Sequence, residues 1–508
     1  MTGVIKSSRC GTCRKRKVKC DEVKPVCGPC QKKNRVCEAP VSKYKFTEEH
    51  TTGASSAPPP IQTTFPALKL EKIAIVRSVP ASDGGGFFQT MRLVRGRQNR
   101  PQDKINNRHS VIRKSPQMSS TESLQHTLCQ TFQMYTGGYR ISALASFVTE
   151  IPARLGHSEA LDCAVACLVN CHASLCRNQA PVNDRMQEKL YAKSIVALQR
   201  ALEDRVGGFT DETLAAVSII GQVELFGGGC QGESKWVSHA GGAAKLLQIR
   251  GPEYCKTKFS KMLVSMQRMN SLAASIIRGE DCFFADSSWQ QISYDELFTP
   301  EIHPVNVTFV TALLRLPSIC KRIRLFHHNP ELVDSGSIFL DIYSLRNSFA
   351  EVEEYVNEAL INETSITVTA AQHDDSLTPF AYHFASRPLA NLCVIYWGFS
   401  ILIDTLLARF LPFQPLPTAV TLEELCDNCI QYRQRIVMSY EYAEHRWPLD
   451  VMFMVGPLIF SYHGATEEER DWIISKLWRL GELMPNSRQY WGRAGVERAI
   501  RIYLGEPI

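Results

Sequence analysis

The sequence lacks the segments that would direct a protein out of the cell or into a membrane. Its N-terminus, residues 1–17, has no apolar core of the kind that secretory signals carry, so we expect no secretion. The longest apolar run without charge, residues 388–403, has 16 residues and ends at Asp404, whereas a membrane-spanning helix needs about 20. We therefore expect this run to form a buried core helix, and we expect no membrane partner.

The sequence also lacks the motifs of several common enzymes and folds. Neither G-x-S-x-G nor H-E-x-x-H occurs, and no grouping of nucleophile, base and orienting residue is visible. Strand and helix patterns do not alternate as they do in α/β proteins. The chain has 508 residues, 44% of them hydrophobic and 21% charged, an ordinary globular composition that excludes wholesale disorder. We expect a protein that is not an enzyme.

Charge is divided unequally along the chain. Residues 1–120 carry 24 Lys and Arg against 8 Asp and Glu, a net charge of +16, while residues 121–508 carry 33 against 43, a net charge of −10. A basic N-terminal region attached to an acidic body predicts that the N-terminal region binds a polyanion and that the body does not bind nucleic acid.

Six of the 18 cysteines lie close together near the N-terminus and form an internal repeat. The spacing C-x2-C-x6-C recurs after a shift of 17 residues, first as Cys10, Cys13 and Cys20 and then as Cys27, Cys30 and Cys37. Structural zinc takes four ligands in a tetrahedron, so each repeat alone is one thiolate short. Two tetrahedral zinc ions need eight ligand positions, which six thiolates fill if two of them bridge both metals. The repeat therefore predicts a binuclear cluster with two Zn2+.

Other uses of the six cysteines account for less of the pattern. A single four-cysteine zinc site would leave two thiols over and would not explain the repeat. An iron–sulfur cluster favours the tighter spacing C-x2-C-x2-C, which is absent. Three disulfide bonds would be unusual in the reducing compartments where we expect this protein.

Basic residues surround the cysteines. Residues 10–37 hold two acidic residues and nine basic ones, which are Arg14, Lys15, Arg16, Lys17, Lys19, Lys24, Lys32, Lys33 and Arg35. A metal-bound fold of this size cannot bury nine cations, so they form a basic surface that releases counterions on binding DNA. A nuclear-import signal is a second interpretation of the run RKRKVK, and it is compatible with the first.

The segment CGTCRKRKVKCDEVKPVCGPCQKKNRVC resembles the fungal zinc binuclear cluster of transcription factors. The likeness covers its six cysteines, the basic run after the second cysteine and the Lys-Pro between the repeats. The resemblance implies a small zinc-scaffolded fold with two helices, in which Cys10 and Cys27 bridge the metals. One zinc would then be bound by Cys10, Cys13, Cys20 and Cys27, and the other by Cys10, Cys27, Cys30 and Cys37.

The same resemblance implies how this cysteine-rich head, residues 10–37, contacts DNA. In the family, the end of the first short helix enters the major groove at a CGG triplet. The base-contacting lysine corresponds to Lys17, with Arg16 beside it and Lys15 in the same basic run. Arg14 and Lys19 correspond to positions that contact phosphates.

Composition and periodicity divide the chain into three parts. We expect a zinc cluster DNA-binding domain at residues 8–40, a basic disordered linker at 41–120, and an all-α regulatory domain at 121–508. The linker contains APPP and GGG runs and no sustained heptads, so it gives no support to a coiled-coil dimer. Apolar residues recur at helical spacing in the body, and WVSHAGGAAKL at 236–246 resembles the fungal-specific regulatory region of the same factors.

Three further patterns have a structural interpretation that we prefer to a functional one. They are the G-x-G-x-x-G glycines Gly227, Gly229 and Gly232, the helically spaced Cys163, Cys167, Cys171 and His172, and the lone C-x2-C of Cys426 and Cys429. The glycines follow a predicted helix, whereas a dinucleotide site needs a strand there. Free cysteines are often buried as small apolar residues.

Together these features predict a sequence-specific, zinc-dependent regulator of transcription by RNA polymerase II that acts in the nucleus. Its partners would be double-stranded DNA with CGG-containing sites and the transcription machinery or co-regulators, and a homodimer stays open. The alternative is a zinc-scaffolded interaction protein whose basic head binds RNA or acidic partners.

Overall fold

The computed structural model describes parts of the cysteine-rich head and most of the helical body. In the head these are residues 12–13, 18–21, 27–33, 35 and 37, and in the body residues 119–507 without 178–184, 205–206, 228–234, 299–302, 416–417 and 485–489. The chain divides into two compact units, Met1–Ser82 and Asp83–Ile508. Nearly all of the predicted linker lies outside the described residues, so its disorder and the predicted domain limits stay predictions.

The described head contains one short helix, α1, which spans Gly28–Gln31. It begins after Cys27, whose carbonyl oxygen accepts the backbone N–H of Cys30 at 2.9 Å. Thr12 and Cys13 are also helical. The rest of the predicted first helix lies outside the described residues.

The second unit is built from helices. In chain order they are α2 (Ser120–Met134), α3 (Glu159–Cys176), α4 (Arg185–Glu203), α5 (Asp211–Gly227), α6 (Lys235–Arg250), α7 (Lys258–Arg278), α8 (Ser287–Gln290), α9 (Pro304–Leu313), α10 (Leu316–His328), α11 (Ser335–Asn347), α12 (Ala350–Ile361), α13 (Arg387–Phe410), α14 (Leu422–Glu444), α15 (Val455–Ser461), α16 (Glu467–Leu480) and α17 (Arg493–Tyr503). Short 3-10 helices join several of them. The prediction of a helical body is confirmed.

A β-hairpin interrupts the helices between α12 and α13. Its strands β1, Ile366–Ala370, and β2, Phe380–Phe384, pair antiparallel, so that Ile366 lies opposite Phe384. Four of the five residues of β1 are β-branched, a side-chain type that favours extended backbone. A strand of five residues is too short to show a clear alternation of apolar and polar residues in the sequence. The hairpin therefore differs from the predicted all-α body.

Capping residues set the ends of several helices. The hydroxyl of Thr466 accepts the backbone N–H of Glu469 at 3.2 Å, and the Glu469 carboxylate accepts the N–H of Thr466 at 2.7 Å. This reciprocal pair satisfies two N–H groups at the start of α16 that lack partners within the helix. At the end of α6, Gly251 adopts a left-handed φ of 86°, and Pro252 follows, where a helix cannot continue.

The core of the body is organised around α13. Sixteen of its 24 residues are buried, and Trp397 at its centre is fully buried. The helix packs against α11 on one side and against α14 and α15 on others. The apolar run 388–403 lies within α13, so the prediction of a buried core helix is confirmed.

Length and composition alone would allow two segments of the described chain to cross a membrane. These are Glu159–Cys176 and Arg387–Phe413, and 61% and 83% of their most apolar 18-residue stretches are buried inside the body. Burial of this extent is what helices in a protein core show, and the protein itself covers most of the apolar surface that a membrane would otherwise cover. The expected lack of a membrane partner stays a prediction.

The contact between α13 and α15 depends on a glycine. A Cβ atom at Gly398 would lie 2.9 Å from the Cα of Pro457, which is closer than side-chain carbons approach backbone. We predict that Gly398→Ala lowers the free energy of unfolding by about 1–3 kcal/mol, because the added methyl group overpacks the interface. Urea denaturation of the full chain measures this change.

Gly456→Ala is the matched control. Gly456 lies in α15 next to Pro457, yet a Cβ there would meet Phe460 at 3.9 Å, an ordinary contact. This variant should differ from the wild type by less than Gly398→Ala does, because the helix preference of alanine offsets the crowding of its Cβ by the following proline. Equal stability of both variants would show that α13 and α15 do not require a glycine at their contact.

Candidate metal centre

Buried cysteine sulfurs converge in the head. The Sγ atom of Cys13 lies 3.6 Å from that of Cys27 and 3.9 Å from that of Cys30. All three residues are 1% exposed. Thiolates about 2.3 Å from a tetrahedral zinc lie about 3.8 Å from one another, whereas a disulfide bond is about 2.0 Å long. These distances fit thiolates that share a metal and do not fit disulfides.

Cys27 belongs to two groups of potential ligands. Its sulfur is close to those of Cys13 and Cys30 in one group and to Cys20 and the Asp21 carboxylate in the other, with all ligand atoms of a group within 4.8 Å. A bridging thiolate lies close to ligands of both metals, and Cys27 lies close to Cys13 and Cys20 of one expected site and to Cys30 of the other. The 3.9 Å contact between Cys13 and Cys30 does not follow the expected division, which places them on different metals. Cys10, the second predicted bridge, lies outside the described residues.

The last cysteine of the repeat also approaches the cluster. Cys37 is half-buried, and its Sγ accepts the backbone N–H of Cys27 at 3.5 Å. Hydrogen bonds of this type stabilise the negative charge of a metal-bound thiolate.

An acidic residue of the head, Asp21, positions α1. Both carboxylate oxygens of Asp21 accept the backbone N–H of Gly28, at 3.0 and 2.9 Å. An acid at a helix N-terminus satisfies an N–H that lacks a partner within the helix. A Cβ at Gly28 would lie 2.4 Å from Asp21 Oδ2, so glycine permits this contact. The signal in the sequence is an Asp directly after the third cysteine.

The described basic residues of the head face solvent. Lys19, Lys32, Lys33 and Arg35 are exposed, as predicted for cations that so small a fold cannot bury. The other predicted DNA contacts, residues 14–17, lie outside the described residues. The exposed cations can bind phosphate groups, since they stay in contact with water and counterions.

Comparison with known proteins identifies the head. Residues 9–45 match the model of the fungal Zn(2)-Cys(6) binuclear cluster domain. The chain is 68% identical over 28 residues to the C6 finger domain transcription factor hasF of Aspergillus fumigatus, which covers 6% of this chain and 4% of that protein. It is 22% identical over 142 residues to Uncharacterized protein AN5342 of Emericella nidulans, which covers 27% of this chain and 30% of that protein.

The matched parts amount to less than a third of each of these relatives. No solved structure matches the chain. Residues 9–45 are thus similar to a fungal zinc binuclear cluster domain in sequence and in the convergence of their sulfurs, and such a domain binds two zinc ions. The predicted family of the head and its two Zn2+ are confirmed. The likeness of the body to a fungal regulatory region stays a prediction.

The three other sequence patterns occupy structural positions where the structure describes them. Cys167 and Cys171 are buried in α3, and burial raises the pKa of the Cys167 thiol to about 12. Thiols with so high a pKa stay protonated and unreactive. His172 Nε2 lies 2.7 Å from the carbonyl oxygen of Tyr139 and so has a partner within the protein.

The other two patterns also lack a functional setting. The G-x-G-x-x-G begins at the end of α5, a helix and not a strand, and its other residues lie outside the described ones. Of the C-x2-C pair, Cys426 is exposed and Cys429 is half-buried. Neither belongs to a group of ligating side chains in the described part of the chain.

The body contains a polar cavity that the sequence did not indicate. It has a volume of about 280 Å³ and lies between α11, α12, α13 and α14. The buried carboxylate of Asp404 lies at its wall and accepts a hydrogen bond from Arg346 Nε at 2.8 Å. Burial raises the pKa of Asp404 to about 6, although Arg346 and Asn428 lower it.

The raised pKa of Asp404 predicts how the stability of the body depends on pH. The folded protein retains a proton that the unfolded chain releases near pH 4, so stability is highest below that pH and falls as pH rises to about 6. We predict that Asp404→Asn removes this fall. Between pH 4 and pH 7 the variant should gain about 3 kcal/mol in free energy of unfolding relative to the wild type.

Urea denaturation at a series of pH values tests this dependence. Glu424→Gln is the control, because Glu424 pairs with the same Arg346 at 3.0 Å but is largely exposed. Its stability should follow the wild-type pH profile. A difference between Asp404→Asn and the wild type that does not change with pH would contradict the assignment.

Proposed function

We propose that the protein is a sequence-specific DNA-binding regulator of RNA polymerase II transcription that acts in the nucleus. The observation that carries the proposal is the zinc cluster domain at residues 9–45. The exposed cations of the described head support it, and so does the likeness of this segment to hasF, which is named a transcription factor. On this proposal the protein acts by binding DNA and partners and not by catalysis.

We assign the two zinc ions to the six cysteines of the repeat. Cys10 and Cys27 would bridge the metals, Cys13 and Cys20 would complete one site, and Cys30 and Cys37 the other. The Cys27 sulfur lies near Cys13 and Cys20 of one assigned site and near Cys30 of the other, which supports its role as a bridge. The division of the other cysteines between the two metals rests on the family resemblance. The cluster would hold the basic residues on a rigid support, since a segment this short buries too little apolar surface to fold without metal.

Metal analysis of a fragment of residues 1–45 tests the ligand set. We predict two zinc ions per chain, and we predict that chelation unfolds the fragment because metal binding supplies its folding free energy. Cys27→Ser should release both metals, since each loses a ligand. Cys37→Ser, the matched variant at a terminal ligand, should retain at least one. A content of one zinc, or of iron, would contradict the binuclear assignment.

For DNA, we propose that the basic run after Cys13 enters the major groove at a CGG triplet. Lys17 would donate to guanine, with Lys15 and Arg16 beside it, and Arg14 and Lys19 would contact phosphates. Contacts to bases supply specificity, whereas contacts to phosphates supply affinity without regard to sequence. Lys19 is exposed and therefore free to reach a phosphate.

Substitution of two lysines separates these roles. Lys17→Ala should weaken binding to a CGG duplex by about 1–3 kcal/mol and reduce the preference for it over a scrambled duplex. Lys19→Ala should weaken binding to both duplexes alike and reduce the slope of log affinity against log salt by about one. Titrations of the full chain at several salt concentrations measure both effects.

The same titrations decide between the proposal and its alternative. If the wild type bound scrambled DNA, or RNA of equal length, as tightly as the CGG duplex, the head would be a general basic interaction module. If Lys17→Ala weakened binding to both duplexes equally, Lys17 would contact phosphate and not guanine.

The remaining parts of the chain would serve regulation. The stretch 41–120 would act as a basic spacer, because its net positive charge adds attraction to DNA that is independent of sequence. The helical body would bind co-regulators or a small polar effector, for which the cavity beside Asp404 offers buried charged groups. Its net negative charge disfavours direct contact with DNA.

A further inference from the structure

A second group of metal-ligating side chains lies in the body, where the loop between β1 and β2 meets the end of α14. His373 belongs to that loop, and Glu441 and His445 lie one helical turn apart. One ligand atom from each of the three lies within 4.8 Å of the other two. A tetrahedral metal holds nitrogen and oxygen ligands about 2.0–2.2 Å away, so small rotations of these side chains would bring all three into its coordination sphere.

The buried carboxylate of Glu441 lacks the partners that its charge requires. Its side chain is 9% exposed, and Oε1 accepts the backbone N–H of Gln372 at 2.9 Å. Oε2 is buried and has no hydrogen-bond partner among the described residues. In that part of the chain, the basic group within ion-pair distance is His373, with Nε2 4.0 Å from Oε1. An uncompensated buried charge is costly, and a bound cation would remove that cost.

The imidazole of His445 is oriented as metal-binding imidazoles are. Its Nδ1 lies 2.7 Å from the backbone carbonyl oxygen of Glu441. A carbonyl oxygen can only accept, so Nδ1 carries the proton and the lone pair is on Nε2. Histidine ligands in proteins usually donate their second ring nitrogen to a carbonyl or carboxylate in this way. His445 and His373 are exposed, which gives an ion access from solvent.

The loop that carries His373 is fixed to the body. The His373 carbonyl oxygen accepts the N–H of Ser376 at 3.1 Å, which closes a turn. The next anchor is Asp375, whose carbonyl oxygen accepts the indole N–H of Trp472 at 2.9 Å and whose carboxylate pairs with Lys476 at 2.5 Å. These contacts to α16 hold His373 beside α14, and a ligand held in advance loses little entropy on binding metal.

Glu444 supplies a further oxygen at the edge of the group. Its Oε2 lies 3.5 Å from His373 Nε2, and its other oxygen pairs with Arg479. Two imidazoles with one or two carboxylates form a donor set that suits zinc and related divalent transition metals. Magnesium and calcium prefer oxygen ligands and are disfavoured by the imidazoles.

We propose that His373, Glu441 and His445 bind a divalent transition metal ion, with zinc as the fitting example, in a site separate from the cysteine cluster. Glu444 or water completes its coordination. The ion joins the hairpin loop to the end of α14, so its role is to fix this loop against the helix. The site has no thiolate, and its metal is therefore held less tightly than that of the head.

Metal analysis of the full chain tests the proposal, after dialysis against buffer with a fixed Zn2+ concentration that saturates imidazole and carboxylate sites. We expect three zinc ions per chain, two in the head and one in the body. His445→Ala and Glu441→Gln should each lower the content to two, and Glu441→Gln keeps the shape of the side chain if His445→Ala fails to fold. His383→Ala is the control. His383 is an exposed histidine on β2 that packs against Tyr442 of α14, and the zinc content of this variant should stay at three.

A wild-type chain that holds two zinc ions at a zinc concentration sufficient to saturate imidazole and carboxylate sites would overturn the proposal. A third zinc that survives in both Glu441→Gln and His445→Ala would also overturn it, since that ion would bind elsewhere. The zinc content of the fragment of residues 1–45, which lacks the body, is measured as well. It shows whether a low total comes from the body site or from the cysteine cluster.

Discussion

The convergence of cysteine sulfurs on Cys27 is the interaction on which the head depends. In its described part, the buried core consists of Cys13, Cys20, Cys27 and Cys30, with Val18 and Cys37 packed against them. Such a core contains almost no aliphatic surface, so the hydrophobic effect cannot offset the entropy lost on ordering the chain. Sulfurs at 3.6–3.9 Å would repel one another as thiolates without a cation between them. Zinc therefore supplies both the charge and the connectivity that replace a conventional core.

The body, in contrast, is stabilised by hydrophobic packing around one long apolar helix. Helix α13 is buried along most of its length, and its neighbours α11, α14 and α15 each present an apolar face to it. Buried charged groups in this core can be paired, as Arg346 and Asp404 show. Pairing is incomplete at Glu441, where we propose that a cation binds. Unpaired buried charge thus marks positions where the fold serves something other than stability.

Local patterns in the sequence predicted a good part of this architecture. The cysteine repeat predicted the metal centre, because ligands within 28 residues are brought together by short loops and do not depend on distant packing. The start of α16 is also encoded locally, since Thr466 and Glu469 bond to each other within one turn. The apolar run within α13 predicted a buried helix, because it is too short to span a membrane and has no charged residue to place in water.

What the sequence could not predict depends on contacts between distant residues. His373 and Glu441 are separated by 68 positions, and neither has a local motif that marks it as a ligand. The cavity beside Asp404 combines residues from four helices, and the pKa of Asp404 is raised by their packing and not by its neighbours in sequence. The strands of the β-hairpin are too short to be predicted from the sequence, and their antiparallel pairing is seen in the structure. The contact of Asp21 with Gly28 spans the gap between the two repeats, so it too appears in the fold and not in the spacing.

The two kinds of metal site would respond differently to their surroundings. Thiolates that are shared between two ions hold zinc through softer and more numerous bonds than imidazole and carboxylate do. The head, which has no other core, would keep its metal whenever it is folded. The body has a large apolar core and would stay folded without an ion at His373, since the loss would free one hairpin loop and leave α13 packed. Metal supply would therefore decide whether the head folds, while in the body it would change the order of a single loop.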